Sequence, residues 1–238
     1  MKQNFYQLEG TKLKEFITLL HIPYTLMCLS FLTIGFSIGG IINWNSYWLT
    51  MLAYFFGLGI AAHSFDQLKG MGSSYVKLLN ENDLIIIGVS ALLASILFGI
   101  HLIVALSARY LLILVPLQVF FVFAYPMKTL FKGFFHDDFW FAVSFGFLPV
   151  VIGYYVNTLT FSPIAIVWGV VALIISGIEI NLSRYVRKMR KIKGEQYAND
   201  RAVYNNYIYP EYIEKPERAL KLLCLMTYLF AIILIFFN

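Results

Sequence analysis

The stretch GLGIAAHSFDQLKG, residues 57–70, changes from small apolar residues to ionisable ones within a few positions. The apolar run that leads into it predicts a transmembrane helix, and His63, Asp66 and Lys69 follow where that helix would reach the membrane surface. An acid at such a position costs roughly 3 kcal/mol or more unless it is paired, hydrated or bound to a metal. The stretch therefore predicts a membrane protein with a functional site at this helix end.

The composition of the whole chain is that of an integral membrane protein. Of its 238 residues, 60% are hydrophobic and only 13% are charged, whereas soluble domains carry about 25% charged residues. We interpret residues 1–238 as one membrane domain without a soluble module. The net charge of +5 then marks a membrane face, and no nucleic-acid partner is expected. Cys28 and Cys224 fall in apolar runs and are predicted to be free buried thiols.

Apolar runs separated by polar gaps predict an all-α bundle of about seven transmembrane helices. The fourth and seventh runs are near the lower length limit, and the fourth contains Pro116 and Gln118. A long basic segment, residues 182–221, is interpreted as a cytoplasmic loop between spans six and seven. The predicted spans are residues 16–42, 47–65, 84–105, 110–124, 139–156, 163–181 and 222–237.

The basic residues predict the orientation of the chain. With seven crossings and a cytoplasmic N-terminus, every one of the 18 Lys and Arg residues except Arg109 lies on the cytoplasmic side, as the positive-inside rule expects. The C-terminus then lies outside, and a prokaryotic plasma membrane is the default location. The 13 acids gather at or near the same face, which positive-inside sorting does not explain. We expect the polar chemistry at this face.

Two helix ends bring acids and bases to that face. The second span ends in His63 and Asp66, whose spacing of three places them on one side of the helix. The sixth span ends in Glu179, Ser183 and Arg187, which are four residues apart and therefore also share a side. The two ends are predicted to meet in one site.

A third loop at the same level adds aromatic and basic residues, among them Tyr125 and Lys128. Carboxylates such as those of Asp66 and Glu179 suit Mg²⁺, which commonly bridges a protein and the oxygens of a phosphate. Lys and Arg side chains suit the remaining phosphate charge. The combination predicts a site for a phosphorylated ligand.

The same loop carries a resemblance to a known family. The sequence AYPMKTLFKG, residues 124–133, is similar to the Tyr-Pro-x-x-Lys loop of the UbiA superfamily of membrane prenyltransferases, and FGFLPVVIGYYV, residues 145–156, resembles the fifth helix of that family. The family also carries the aspartate-rich motifs NDxxDxxxD after its second helix and DxxxD after its sixth. The resemblance covers about residues 16–190.

This resemblance implies a UbiA-like bundle that encloses a lipid-accessible cavity. The implied activity is Mg²⁺-assisted transfer of a prenyl group from a prenyl diphosphate to a lipophilic acceptor, in contact with membrane lipids. His63 would be a metal ligand or a hydrogen-bond partner of Asp66, and Tyr125 would line the cavity wall or orient the substrate. The implied catalytic residues are Asp66, Glu179 and Tyr125, with Asp66 and Glu179 as Mg²⁺ ligands, and the implied substrate-binding residues are His63, Lys69, Lys128, Arg184 and Arg187.

The chain departs from the family pattern in both motifs. Asp66 aligns with the middle aspartate of the first motif, but His63 stands in place of the first aspartate and Gly70 in place of the last. Glu179 and Ser183 replace the two aspartates of the second motif. The alternative is therefore a catalytically silent UbiA-like protein with a lipid-binding or assembly role. A small-solute transporter fits less well, because its site would be expected near the bilayer midplane.

Several of these residues also have a purely structural interpretation. Asp66 and His63 could form a buried pair, and Glu179 could form an interfacial ion pair with a basic residue of its own helix. The basic run at residues 184–193 could anchor the topology or hold anionic lipid head groups. Three further residues have structural interpretations alone: His21 is expected in the core, and Asp137 and Asp138 are expected to cap the fifth span.

Overall fold

The computed structural model describes residues 5–69, 76–126, 130–196 and 200–237, and every regular element within these ranges is helical. The predicted all-α class is confirmed. The helices are α1 (Lys12–Leu19), α2 (Ile22–Ile38), α3 (Trp44–Tyr54), α4 (His63–Lys69), α5 (Glu81–Leu106), α6 (Leu111–Ala124), α7 (Asp138–Ala142), α8 (Leu148–Thr158), α9 (Pro163–Gln196), α10 (Arg201–Val203) and α11 (Lys215–Phe236).

Six helical stretches within the described ranges are long and apolar enough to cross a membrane, which indicates an integral membrane protein. Six of the predicted spans are thereby confirmed as long apolar helices. The predicted fourth span corresponds to α6, which has only 14 residues; its length of about 21 Å is less than the roughly 30 Å of a bilayer core. The six stretches are Lys12–Ile38, Trp44–Leu68, Glu81–Leu106, Asp138–Thr158, Pro163–Ile192 and Pro210–Phe236.

The segment predicted as a loop between the last two spans is largely helical, so that prediction is wrong. Helix α9 continues to Gln196 without a break, and helical structure resumes at Arg201. Residues 182–196 include three Lys and three Arg, which are good helix formers, so the helix continues beyond the end of its apolar run. Arg190 of α9 and Glu217 of α11 form a nearly buried ion pair of 2.8 Å that joins the two helices.

Helices α2 and α8 pack closely at the centre of the bundle through glycines. Gly35 of α2 faces the backbone of Val150, and Gly153 of α8 faces the carbonyl group of Leu32. A Cβ atom at either glycine would collide with the backbone of the other helix, so the two helices can approach only because these side chains are absent.

Two π-helical stretches shape the end of the bundle that carries most of the predicted site residues. Phe55–Ala62 leads directly into α4, and Val143–Phe147 joins α7 to α8. A π-helical turn holds more residues than an α-helical turn, which changes the direction of the side chains that follow. Both stretches contribute residues to the cavity described next.

Candidate functional site

One end of the bundle contains a cavity of about 400 Å³, here called the site cavity, whose walls come from α2, α4, α6, α7 and α9 and from both π-helical stretches. Most of the predicted site residues line it. The side chain of Lys69 and the whole of Lys128 lie outside the described part of the structure. The predicted residues in the cavity wall are His63, Asp66, Tyr125, Glu179, Arg184 and Arg187.

Helix α4 places His63 and Asp66 on the cavity wall. Ser64, between them, is fully buried and donates a hydrogen bond of 2.8 Å to the carbonyl oxygen of Ile60. The ring of His63 lies 4.1 Å from the ring of His21, measured between centroids. Its Nε2 atom is buried and has no hydrogen-bond partner among the described residues, so a ligand in the cavity can use it.

Glu179 is the most deeply buried acid of the site, with 1% of its surface exposed. Its Oε2 atom has no hydrogen-bond partner among the described residues. One turn along α9, Ser183 accepts a hydrogen bond of 3.3 Å from the hydroxyl group of Tyr24 and makes no hydrogen bond to Oε2. A buried carboxylate oxygen without a partner is costly, which makes Glu179 a candidate ligand for a cation or a hydrogen-bond donor in the cavity.

Arg184 is held by two partners of its own chain. It donates a hydrogen bond of 2.9 Å to the hydroxyl group of Tyr125 and forms an ion pair with Asp138 at the start of α7. Burial raises the pKa of Tyr125 to about 12, although the guanidinium of Arg184 acts in the opposite direction. Tyr125 is therefore a neutral hydroxyl at physiological pH. The ion pair with Glu179 that the sequence left open for this arginine is not formed.

Arg187 differs from Arg184 in having no such partner. It lines the site cavity and is exposed, and no hydrogen bond or ion pair joins it to any described residue. Among the described cations of the cavity, its guanidinium group is therefore the best placed to bind an anion from outside.

The site includes residues that were not predicted to be part of it, among them His21, His136 and Asp138. His21 lines the cavity as well as being buried, and His136 interacts through Nδ1 with the carbonyl oxygen of Tyr125 at 2.6 Å. Asp138 was expected to cap a helix, but Asp137 alone fills that role, accepting a hydrogen bond of 3.0 Å from the backbone of Trp140. A helix needs only one N-cap residue. The adjacent acids Asp137 and Asp138 in the sequence therefore indicated that one of them has a role other than capping.

The donor set limits what kind of metal site is feasible. Within the described residues there is no group of three or more His, Cys, Asp or Glu side chains that could hold a metal ion. Asp66 and Glu179 both line the site cavity, however, and Glu179 presents an unpaired oxygen. One or two carboxylates are enough for Mg²⁺ when a substrate phosphate supplies further ligands. The residues fit a Mg²⁺ that arrives with a phosphate and do not fit a metal held by the protein alone.

A second pocket, here called the apolar pocket, lies beside the site cavity between α3, α5, α6 and α8. Leu58 lines both spaces, so they adjoin. The apolar pocket is lined mainly by aliphatic side chains, and its main polar feature is a hydrogen bond of 2.7 Å from Gln118 to the hydroxyl group of Tyr54. A polar cavity next to an apolar one suits a ligand with an anionic head and an apolar tail.

No family model, no curated protein and no solved structure matches the chain. A function must therefore be argued from the site itself.

Proposed function

We propose that this protein is a UbiA-like membrane prenyltransferase that moves a prenyl group from a prenyl diphosphate to a lipophilic acceptor. The observation that carries the proposal is the composition of the site cavity, where Asp66, Glu179 and Arg187 line one space beside the apolar pocket. A prenyl diphosphate likewise consists of a polar and an apolar part, because its charged head requires cations and its prenyl tail requires apolar surroundings.

Residues of the cavity can then be given roles. Arg187 binds the diphosphate and stabilises the negative charge that grows on it as the bond to the prenyl carbon breaks. When bound, Mg²⁺ would supply further neutralisation of that charge, held by Asp66 and Glu179. Tyr125 and Arg184, fixed against each other, form a rigid polar wall that orients the head group. The bonding electrons leave with the diphosphate, the prenyl carbon bonds to the acceptor, and the displaced acceptor proton passes to water.

The membrane arrangement belongs to the same proposal. If α6 is counted as a short seventh crossing, the N-terminus lies in the cytoplasm and the C-terminus outside, and the site cavity opens towards the cytoplasm of a prokaryotic cell. Nearly all Lys and Arg residues then lie on the cytoplasmic side, which supports this orientation. A helix of 14 residues can cross where neighbouring helices bury its ends or the bilayer is thin.

The second candidate is a UbiA-like protein that binds an anionic lipid and has no catalytic activity. One observation favours it: the described residues contain no group of three metal-ligating side chains. Such a protein would bind its ligand without Mg²⁺, whereas the transferase needs Mg²⁺ to bind and to react. The two candidates therefore differ in a property that can be measured.

The test uses purified protein in lipid nanodiscs with tritium-labelled farnesyl diphosphate and a membrane lipid extract as the source of acceptor. We expect Mg²⁺-dependent binding and transfer of label into lipid, and a loss of at least tenfold in both for Asp66→Asn. Glu211→Gln is the matched control, because Glu211 is an exposed acid that does not line the cavity. Binding without Mg²⁺ and without transfer would support the second candidate, and binding that depends on neither Mg²⁺ nor Asp66 would contradict the transferase.

A further inference from the structure

The apolar pocket contains one polar atom that the protein leaves without a partner. Gln118 donates from Nε2 to the hydroxyl oxygen of Tyr54 at 2.7 Å. Its other amide atom, Oε1, is buried and has no hydrogen-bond partner among the described residues. The other polar side chains of the pocket are occupied, since Ser95 donates to the carbonyl of Ala53 and Thr50 donates to a carbonyl of its own helix.

An unpaired amide oxygen in apolar surroundings raises the free energy of the empty protein. Leucine or methionine would fill the same volume at that position without this penalty, and both are common in apolar helices. Gln118 lines a void of about 60 Å³ together with side chains such as Leu92, Leu114 and Ile152. A ligand group that donates a hydrogen bond to Oε1 would remove the penalty.

The chemistry of an amide narrows the class of ligand. In the observed orientation Oε1 is the unpaired amide atom, and a ligand that pairs with it must donate a hydrogen bond. With the amide turned over, the hydroxyl of Tyr54 would donate to Oε1, and Nε2 would be the unpaired atom and require an acceptor. A hydroxyl group can donate and accept, so it pairs with the unpaired end of Gln118 in either orientation. The neighbouring carbons of the ligand must be apolar, because the rest of the wall is.

We propose that the apolar pocket binds the hydroxyl end of a lipophilic alcohol or phenol, with Gln118 as the recognising residue and Tyr54 holding its amide in place. The void accommodates the hydroxyl group and the first carbons of such a molecule. The remainder of the ligand extends along the other apolar residues that line the pocket, such as Val115 and Val119. Taken together with the proposed function, on which this last step depends, the bound molecule is the lipophilic acceptor, since its pocket adjoins the site cavity at Leu58.

The experiment measures binding of tritium-labelled farnesol to the protein in nanodiscs, with empty nanodiscs as the background. Farnesene is the competitor, because this hydrocarbon has nearly the same chain but no oxygen, so it can neither donate nor accept a hydrogen bond. We expect the wild type to prefer farnesol over farnesene by about tenfold, the effect of one hydrogen bond to a buried group. Gln118→Met should bind farnesol about tenfold more weakly and bind farnesene as before. Equal binding of farnesol and farnesene by the wild type, or unchanged farnesol binding by Gln118→Met, would overturn the proposal.

A second pair of variants keeps the test decisive if Gln118→Met fails to fold. Gly99 lines the apolar pocket, and a Cβ there would lie 3.1 Å from Val115. Gly88, on the same helix, is as tightly packed, with 3.0 Å to Phe65, but does not line the pocket. Gly99→Ala should weaken farnesol binding severalfold and Gly88→Ala should not, and equal effects of the two would overturn the proposal. Because the assay contains neither a diphosphate nor Mg²⁺, its result is independent of the result for prenyl transfer.

Discussion

Replacing Arg187 by Gln should weaken the binding of a prenyl diphosphate and leave the stability of the fold nearly unchanged. Arg187 is exposed and makes no hydrogen bond or ion pair with a described residue, so its removal leaves no described group unpaired. Substitutions at such surface positions usually change the free energy of unfolding by less than about 0.5 kcal/mol. A hydrogen bond to a charged group contributes about 1.5–3 kcal/mol, which corresponds to a loss of roughly 10- to 150-fold in affinity.

The assay compares two ligands that differ only in charge. Affinities for farnesyl diphosphate, with Mg²⁺, and for farnesol are measured on the same nanodisc preparation. Arg187→Gln should lose affinity for the diphosphate alone. Arg218→Gln is the matched control, because the side chain of Arg218 is 71% exposed, pairs with Glu214 at 2.6 Å and does not line the site cavity. This control should leave both affinities as they are.

Two results would refute the reasoning. An unchanged affinity of Arg187→Gln for farnesyl diphosphate would mean that the guanidinium does not contact the head group. An equal loss for farnesyl diphosphate and farnesol would mean that the substitution disturbs the bundle and does not act through charge. Thermal unfolding of the same samples separates the second result from a simple loss of folded protein.

Three further predictions concern buried charges and the neutral tyrosine. Glu179→Gln should keep or raise the thermal midpoint, because it removes a buried acid whose Oε2 atom is unpaired, yet it should reduce Mg²⁺-dependent diphosphate binding at least tenfold. Glu217→Gln should destabilise the protein by about 3 kcal/mol in chemical unfolding, because it replaces the negative charge that pairs with the nearly buried Arg190 by a neutral group. Glu214→Gln, at an exposed pair, should cost less than about 0.5 kcal/mol. The stability of the wild type should fall from pH 10 to 12, because Tyr125 has a pKa near 10.0 in the unfolded state and about 12 in the folded state. The unfolded state loses the proton first, so raising the pH through this range favours unfolding. Chemical unfolding of Tyr125→Phe across the same pH series should lack this contribution.

The fold was largely predictable because hydrophobicity identifies the spans directly. Each long apolar run became a long helix, and the weakest run became the short helix α6. The extension of α9 to Gln196 was missed because hydropathy locates the end of the apolar run and carries no information on where the hydrogen-bonded helix ends. Helix propensity summed over residues 182–196 would have been the better guide, since this stretch contains a single glycine and no proline.

The site was predictable where local spacing decides and unpredictable where tertiary contacts decide. The three-residue spacing of His63 and Asp66 was sufficient to place both on the cavity wall. The pairing of Arg184 with Asp138 joins residues far apart in sequence, and nothing in the spacing of either indicates it. From the sequence, Arg184 and Arg187 are therefore equivalent candidates for binding phosphate. In the structure Arg184 pairs with Tyr125 and Asp138, whereas Arg187 makes no hydrogen bond or ion pair with a described residue.

The charge balance of the site cavity bears on which ligand it admits. Three described acids contribute negative charge, namely Asp66 and Glu179 in the wall and Asp138, which pairs with Arg184. Two described arginines, Arg184 and Arg187, contribute positive charge. With all five side chains ionised the net charge is about −1, and it is zero if Glu179 holds a proton. A bare diphosphate would be repelled by such a wall or would gain little from it, and the same is true of an anionic lipid. A diphosphate that arrives with Mg²⁺ brings the missing positive charge, and the carboxylates then become ligands of the cation. The acids of this cavity thus favour a ligand that carries its own cation over one that depends on the arginines alone.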